Sequence, residues 1–243
     1  MSDAVGLAIL LFIAAVLYTS VGHAGASGYL AAMALYGLLP EKMRPVAFVL
    51  NLIAATPTTI QFTTAGHFDR RLFIPLAIGS IPFAFLGSSL TLPDSIIKII
   101  IGIALVIASI RLLWSPRSVA DDLRRMPIWL GILLGIGIGL VSGLTGVGGG
   151  IYLTPVLLIA RWATPKTAAG VSAAFILVNS TAGLLARLTK PTNWPEELPV
   201  WAIVVILGSV IGSTLGSRVF GSPTIRRILA VVLLVAAGKL IFE

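Results

Sequence analysis

The sequence predicts an all-α polytopic membrane protein built from two homologous, inverted repeats of about five hydrophobic segments each. Three observations predict it. Apolar residues make up 57% of the chain and charged ones only 11%, at a mean hydropathy of +1.04, whereas a soluble domain carries about 25% charge. Apolar runs of about 20 residues, the length that crosses a bilayer, recur from end to end. The second half of the chain repeats landmarks of the first in the same order.

The first set of segments runs at about Val5–Tyr18, Tyr29–Leu39, Val46–Phe62, Leu72–Leu90 and Ile96–Leu113. The start, Met1-Ser-Asp-Ala, lacks the basic n-region of a signal peptide, so the first segment reads as a retained helix. A polar linker, Ser115–Met126, follows with Arg117, Asp121, Asp122, Arg124 and Arg125. The second set runs at about Ile128–Val141, Ile151–Ile159, Ala168–Leu188, Val200–Val219 and Ile225–Ile241. The domain division is therefore 1–114, 115–126 and 127–243. The second segment of each set is too short to cross a core of about 30 Å as one straight helix. The expectation is 8–10 transmembrane segments, two of them broken or short.

Four landmarks carry the duplication. Gly22…Gly28-Tyr29-Leu30 matches Gly146…Gly150-Ile-Tyr152-Leu153, and Ala47-Phe48…Asn51 matches Ala174-Phe175…Asn179 with one residue of slip. Gly79-Ser80…Gly87-Ser88 matches Gly208-Ser209…Gly216-Ser217 without a gap. Lys98 then falls in register with Arg227. An odd number of crossings per copy inverts one copy against the other, and inverted repeats place a substrate site near the midplane.

If all ten segments change sides, one face collects Arg70, Arg71, Arg111, Arg117, Arg124, Arg125, Arg161, Lys166, Arg218, Arg226 and Arg227. The other collects Lys42, Arg44, Lys98, Arg187, Lys190 and Lys239. The bias assigns the first face to the cytoplasm of a plasma (inner) membrane, with both termini outside. The net charge of +8 is read as this orientation signal, not as a nucleic-acid surface. Trp114, Trp129, Trp162, Trp194 and Trp201 fall near segment ends and read as interfacial anchors.

The chain has no cysteine, which excludes disulfides, thiolate metal sites and cysteine nucleophiles. All nine carboxylates, Asp3, Glu41, Asp69, Asp94, Asp121, Asp122, Glu196, Glu197 and Glu243, lie in loops, at segment edges or at termini. Proton pumps and many cation-coupled carriers need an acidic group at depth, and a di-metal hydrolase needs carboxylates or histidines there. No catalytic residue, metal site or cofactor is expected, and enzyme activity is not.

What remains at depth is glycine, hydroxyls and amides. Gly146, Gly148, Gly149 and Gly150 interrupt the second half, and Gly22 and Gly25 interrupt the first. Glycine costs a helix about 1 kcal/mol relative to alanine. Broken helices at depth occur where the backbone lines a protein-enclosed or watery cavity. A break followed by a helix start exposes N–H groups and a positive dipole end, which makes an anion site. The spaced glycines Gly79, Gly87, Gly208, Gly212 and Gly216 read instead as close helix packing. Asn51 and Asn179 sit mid-segment at matching positions, where helix–helix bonding and ligand contact both remain open. Thr56, Thr58, Thr59, Gln61, Ser180 and Thr181 follow them as a polar patch, and Ser142 and Thr145 flank the glycine cluster. His23 is the one titratable group inside a break. It is a candidate donor to an anion, a candidate proton carrier, or a structural residue on a freed carbonyl. His67 reads as interfacial.

With Gly143-Leu-Thr-Gly-Val-Gly-Gly-Gly-Ile-Tyr-Leu-Thr-Pro155, the looser Gly22–Leu30 copy and the paired Gly-Ser helices, the chain resembles the TauE/SafE sulfite-exporter family over nearly its whole length. The first copy departs from the pattern, with His23 and Ala24 and no Gly-Gly-Gly. The resemblance implies a membrane carrier exporting sulfite or a small organosulfonate. The expected partners are that anion and the lipid bilayer, with a homo-oligomer left open and nucleic acid excluded. The candidate substrate-binding residues are Gly22, His23, Gly25, Asn51, Thr145, Gly146, Gly148, Gly149, Gly150 and Asn179. A channel or uniporter for another small solute, or a non-transporting scaffold subunit, is the alternative.

Overall fold

The computed structural model describes residues 2–90, 93–113, 123–189 and 194–218, together with 234 and 241. The described residues form nine helices and no strand. They are α1 (Ser2–Thr19), α2 (Ala26–Leu35), α3 (Pro40–Thr64), α4 (Arg70–Ser89), α5 (Asp94–Leu113), α6 (Ile128–Thr145), α7 (Gly150–Ile159), α8 (Pro165–Leu188) and α9 (Leu198–Arg218). Five of them, α3, α4, α6, α8 and α9, are long and apolar enough to cross a membrane. Most of the predicted linker and the predicted segment at 225–241 lie outside the described residues.

Local chemistry starts and stops the helices. Asp69 caps α4 by accepting from Arg71 N at 2.8 Å, and Thr164 caps α8 by accepting from Thr167 N at 3.3 Å. Pro40 and Pro165 open α3 and α8, where the missing donor is not needed. His67 lies half-buried in the turn between α3 and α4. Burial, with the positive charge of Lys166, holds its ring below the usual histidine range.

Glycine contacts fix helix directions. A Cβ on Gly79 would overlap Ile132 O and one on Gly87 would crowd Leu140 O, so α4 and α6 run the same way. On the other flank Gly208 faces Phe12 and Gly216 faces Ser20, so α1 and α9 run the same way. The spaced glycines therefore serve close packing, as small residues do between membrane helices. In the centre Gly183 meets Phe48 while Gly170 meets Phe62, so α3 and α8 are antiparallel. Outward faces of α1, α4, α5, α6 and α9 are apolar, among them Ile9, Ile78, Phe85, Ile103, Leu133 and Ile203.

The short helices fit between these. At 1.5 Å per residue, ten residues span about 15 Å, half of a hydrocarbon core. α6 and α8 run in the same direction, so residues 146–164 return the chain to the end where α6 began. Arg124 N donates to Arg161 O at 2.7 Å at that end. α1 ends beside Ala169, and α3 ends beside Gly170. These two also run the same way, and residues 20–39 return the chain between them. α1 ends at the start of α8, whereas α6 ends beside Arg44 at the start of α3.

Two expectations are corrected. Arg44, counted above among the loop cations, is fully buried, because α3 begins at Pro40 and carries it inside the bundle. Trp201, read as an anchor, is buried in the main hydrophobic cluster with Leu11, Tyr29 and Val205. Trp129 and Trp194 are exposed. Trp114 lies outside the described residues.

Candidate functional site

The two breaks share one backbone design. Gly22 and Gly146 have φ of 78° and 82°, and Gly25 and Gly149 have φ of 104° and 85°. The left-handed region costs a residue with a Cβ about 1–2 kcal/mol, which glycine escapes. Each pair is followed at once by a ten-residue helix, α2 or α7, and neither helix has a side-chain cap at its start. Both helices therefore offer first-turn N–H groups and the positive end of a dipole.

The breaks meet. His23 Nε2 lies 3.2 Å from Gly150 O and 3.1 Å from Thr154 Oγ1. Thr154 Oγ1 lies 2.8 Å from Ser172 Oγ on α8, and His23 Nδ1 lies 3.1 Å from Val21 O. Both ring nitrogens thus face carbonyl oxygens. A protonated ring donates to both, whereas a neutral ring donates to one.

The second break lies against α3 and α8. Asn51 Nδ2 donates to Gly146 O and to Ser180 Oγ, each at 3.2 Å. A Cβ on Gly148 would sit 3.1 Å from Asn51 Nδ2 and 2.7 Å from Ile176 Cγ2, so a bare backbone is needed there. Asn51 and Asn179 lie close to the middle of α3 and α8, and both are fully buried. Asn51 Oδ1 and both polar atoms of Asn179 make no hydrogen bond to the protein. A buried polar group left so costs about 1–3 kcal/mol, so the Asn179 amide and the Asn51 carbonyl, unlike Asn51 Nδ2, are not explained by folding.

Of the residues singled out in the sequence, Gly22, His23 and Gly25 are joined through His23 to Gly150, and Gly146, Gly148 and Asn51 are joined to one another. Asn179 stands beside Ser180 in the chain, and its side chain makes no hydrogen bond to either break. Thr145 is used by the turn itself: its hydroxyl donates to Val141 O at 2.8 Å and accepts from Val147 N at 3.3 Å. The polar patch is mostly dissolved. Thr56, Thr58 and Thr181 donate to Leu52 O, Ala54 O and Leu177 O, the back-bonding typical of hydroxyls inside helices. Thr59 Oγ1 stays buried and unbonded.

Known proteins resemble the chain in sequence. The family model described as "Sulfite exporter TauE/SafE" matches residues 7–240. The chain belongs to that family. It is 38% identical to a probable membrane transporter protein of Sinorhizobium fredii over 99% of both chains. It is 26% identical to a probable membrane transporter protein of Methanocaldococcus jannaschii over 72% of this chain and 66% of that one. A similar Xylella fastidiosa protein is 38% identical over 35% of this chain and 33% of that one. No solved structure matches. The TauE/SafE chain is a multi-pass membrane protein of a transporter family, acting on a small solute in a bilayer.

The sequence pattern of this TauE/SafE protein did not single out Thr154 and Ser172 at the junction of the breaks, nor Arg44 beside the second break. Arg44 lies two turns before Asn51 on α3, and its backbone is 3.4 Å from where a Cβ on Gly146 would be. Its NH2 group donates to Gly143 O at 3.0 Å and to Gly87 O at 3.5 Å, near the C-terminal ends of α6 and α4. The signal was available: Glu41-Lys-Met-Arg44 continues into the apolar run at helical spacing behind Pro40, a preferred first helical residue.

Proposed function

We propose that the chain is a secondary carrier, not an enzyme, that exports a small anion across the inner membrane. Sulfite or an organosulfonate is the substrate that the family description favours. The two halves, 1–114 and 127–243, are inverted repeats, and alternating access occurs about a midplane site between them. The helix directions support the inversion: α1 and α6, and likewise α3 and α8, run opposite ways. The loop charges support a cytoplasmic face at the start of α4, α6 and α8, with both termini outside.

One observation carries the reading. The breaks that lead into two uncapped helix starts, α2 and α7, are joined by one hydrogen bond, His23 to Gly150. Asn51 and Asn179 lie buried at mid-depth with unused polar atoms. Backbone amides of the breaks, with these side-chain amides, replace the hydration of the anion, as broken helices do in other carriers. Gly22, His23, Gly25 and Thr145 shape the breaks, while Gly146, Gly148, Gly149, Gly150, Asn51 and Asn179 make the contact.

The test is flux from liposomes preloaded with sulfite or sulfoacetate. Saturable release at carrier rates is expected. Non-saturating, voltage-driven flux would replace the carrier by a channel, and absence of flux for every anion would replace it by a scaffold.

A further inference from the structure

The one cation shown fully buried among the described residues is Arg44. Its NH2 group holds Gly143 O and Gly87 O, whereas Nε and NH1 make no hydrogen bond to protein. More than half of the guanidinium's donors are therefore unused. Holding two helix-end carbonyls needs a single cationic nitrogen, which lysine would supply. A fully buried charge without a partner is costly, and buried charges are ordinarily paired. No carboxylate bonds those nitrogens, and Arg187 adds a like charge nearby, with Glu41 acting on Arg187. Ser142, just before Gly143, also has a buried hydroxyl without a partner.

We infer that Arg44 is an anion-binding position of its own, next to the glycine site and toward the end of the bundle where α3 begins. It takes a small oxyanion, a sulfite, sulfate or sulfonate group, through Nε and NH1. Guanidinium suits such groups because its donors are fixed in a plane and always charged. The loop charges place this end outside, so Arg44 receives the anion as it leaves the amides of the second break. The inference rests on the carrier reading and adds a second station to it.

The experiment compares the full chain with Arg44→Gln and Arg44→Lys in detergent and in liposomes. Thermal unfolding is followed by tryptophan fluorescence with sulfite, sulfate or the neutral solute glycerol. Anion-dependent stabilisation is expected for the parent chain and is weakened in Arg44→Gln, which keeps only the glycine site. In transport, Arg44→Gln raises KM by about tenfold, the usual scale for one lost charge-assisted hydrogen bond. Arg44→Lys falls between. Equal stabilisation and equal KM in the parent and Arg44→Gln overturn the Arg44 site while leaving the carrier intact. Neither stabilisation nor transport in the parent overturns the carrier reading first. Should both variants fail to fold, selenite bound to the parent protein decides. Anomalous density beside the guanidinium supports the site, and density only elsewhere refutes it.

Discussion

The two breaks share a pair of left-handed glycines and differ in their contents, the second adding a third left-handed residue at Gly148 where the first has Ala24. Both carry left-handed glycines three residues apart and both release a ten-residue helix. The first is filled: Gly22 is pressed on Ala169, and His23 bridges to Val21 O, Gly150 O and Thr154. The second is packed at its later glycines, Gly148 and Gly150 against Ile176 and Gly149 against Phe175, while Gly148 also turns backbone toward Asn51 and Ser180 and Gly146 has its nearest neighbour, Arg44, at ordinary contact distance. The shared feature is an uncapped helix start directly after a left-handed glycine. The difference sets a joint, where His23 bridges the two breaks, against what we propose to be a cradle, where unused polar atoms collect on α3 and α8.

The largest expected effect separates those roles at the two asparagines. Asn179 makes no hydrogen bond to the protein, so Asn179→Leu keeps the fold, since removing an unsatisfied buried group is near neutral or stabilising. Transport falls by about a hundredfold, as for two lost hydrogen bonds to an anion. Asn51 holds Gly146 O and Ser180, so Asn51→Leu also loses about 1–3 kcal/mol of stability. Parallel unfolding and flux measurements on both variants check this. Native flux in Asn179→Leu would remove Asn179 from the site.

A smaller effect distinguishes the equivalent glycines. Gly22→Ala meets left-handed strain and overlap with the Ala169 backbone, about 3 kcal/mol in sum. Gly146→Ala meets only the strain, because its Cβ would stop 3.4 Å from Arg44, about 1–2 kcal/mol. Equal loss in urea unfolding would mean that the two joints are packed alike.

Much of this was legible before any coordinates. The broken segments and the packing role of Gly79, Gly87, Gly208 and Gly216 follow from glycine spacing alone, since packing and breaking leave different densities of glycine. What was illegible depended on partners far along the chain. A hydroxyl such as Thr58 looks the same whether it faces a ligand or its own i−4 carbonyl, and the structure shows the latter. Asn51 and Asn179 looked equivalent, yet only Asn51 finds acceptors across the interface, through its Nδ2. Arg44 was misplaced because hydropathy marks where apolar residues begin, and the helix begins six residues earlier than that run. A charge near a segment edge is then assigned to water, although four residues of helix carry it under α4 and α6.

The smallest expected effect makes the first break resemble the second. His23→Val places at 23 the residue that 147 already carries, and Val147 is buried without strain being required of it. The bridges to Gly150 O and Thr154 are lost, while the glycine frame at Gly22 and Gly25 is untouched. Net loss of hydrogen bonds of this kind costs about 1 kcal/mol, which lowers the melting temperature by about 2–4 °C for a chain of this size. Thr154 keeps Ser172 as a partner, so the helix start at Gly150 stays positioned and KM changes by less than about threefold. A tenfold rise in KM with an unchanged melting temperature would make His23 a direct anion contact, and the first break would then be a cradle as well as a joint.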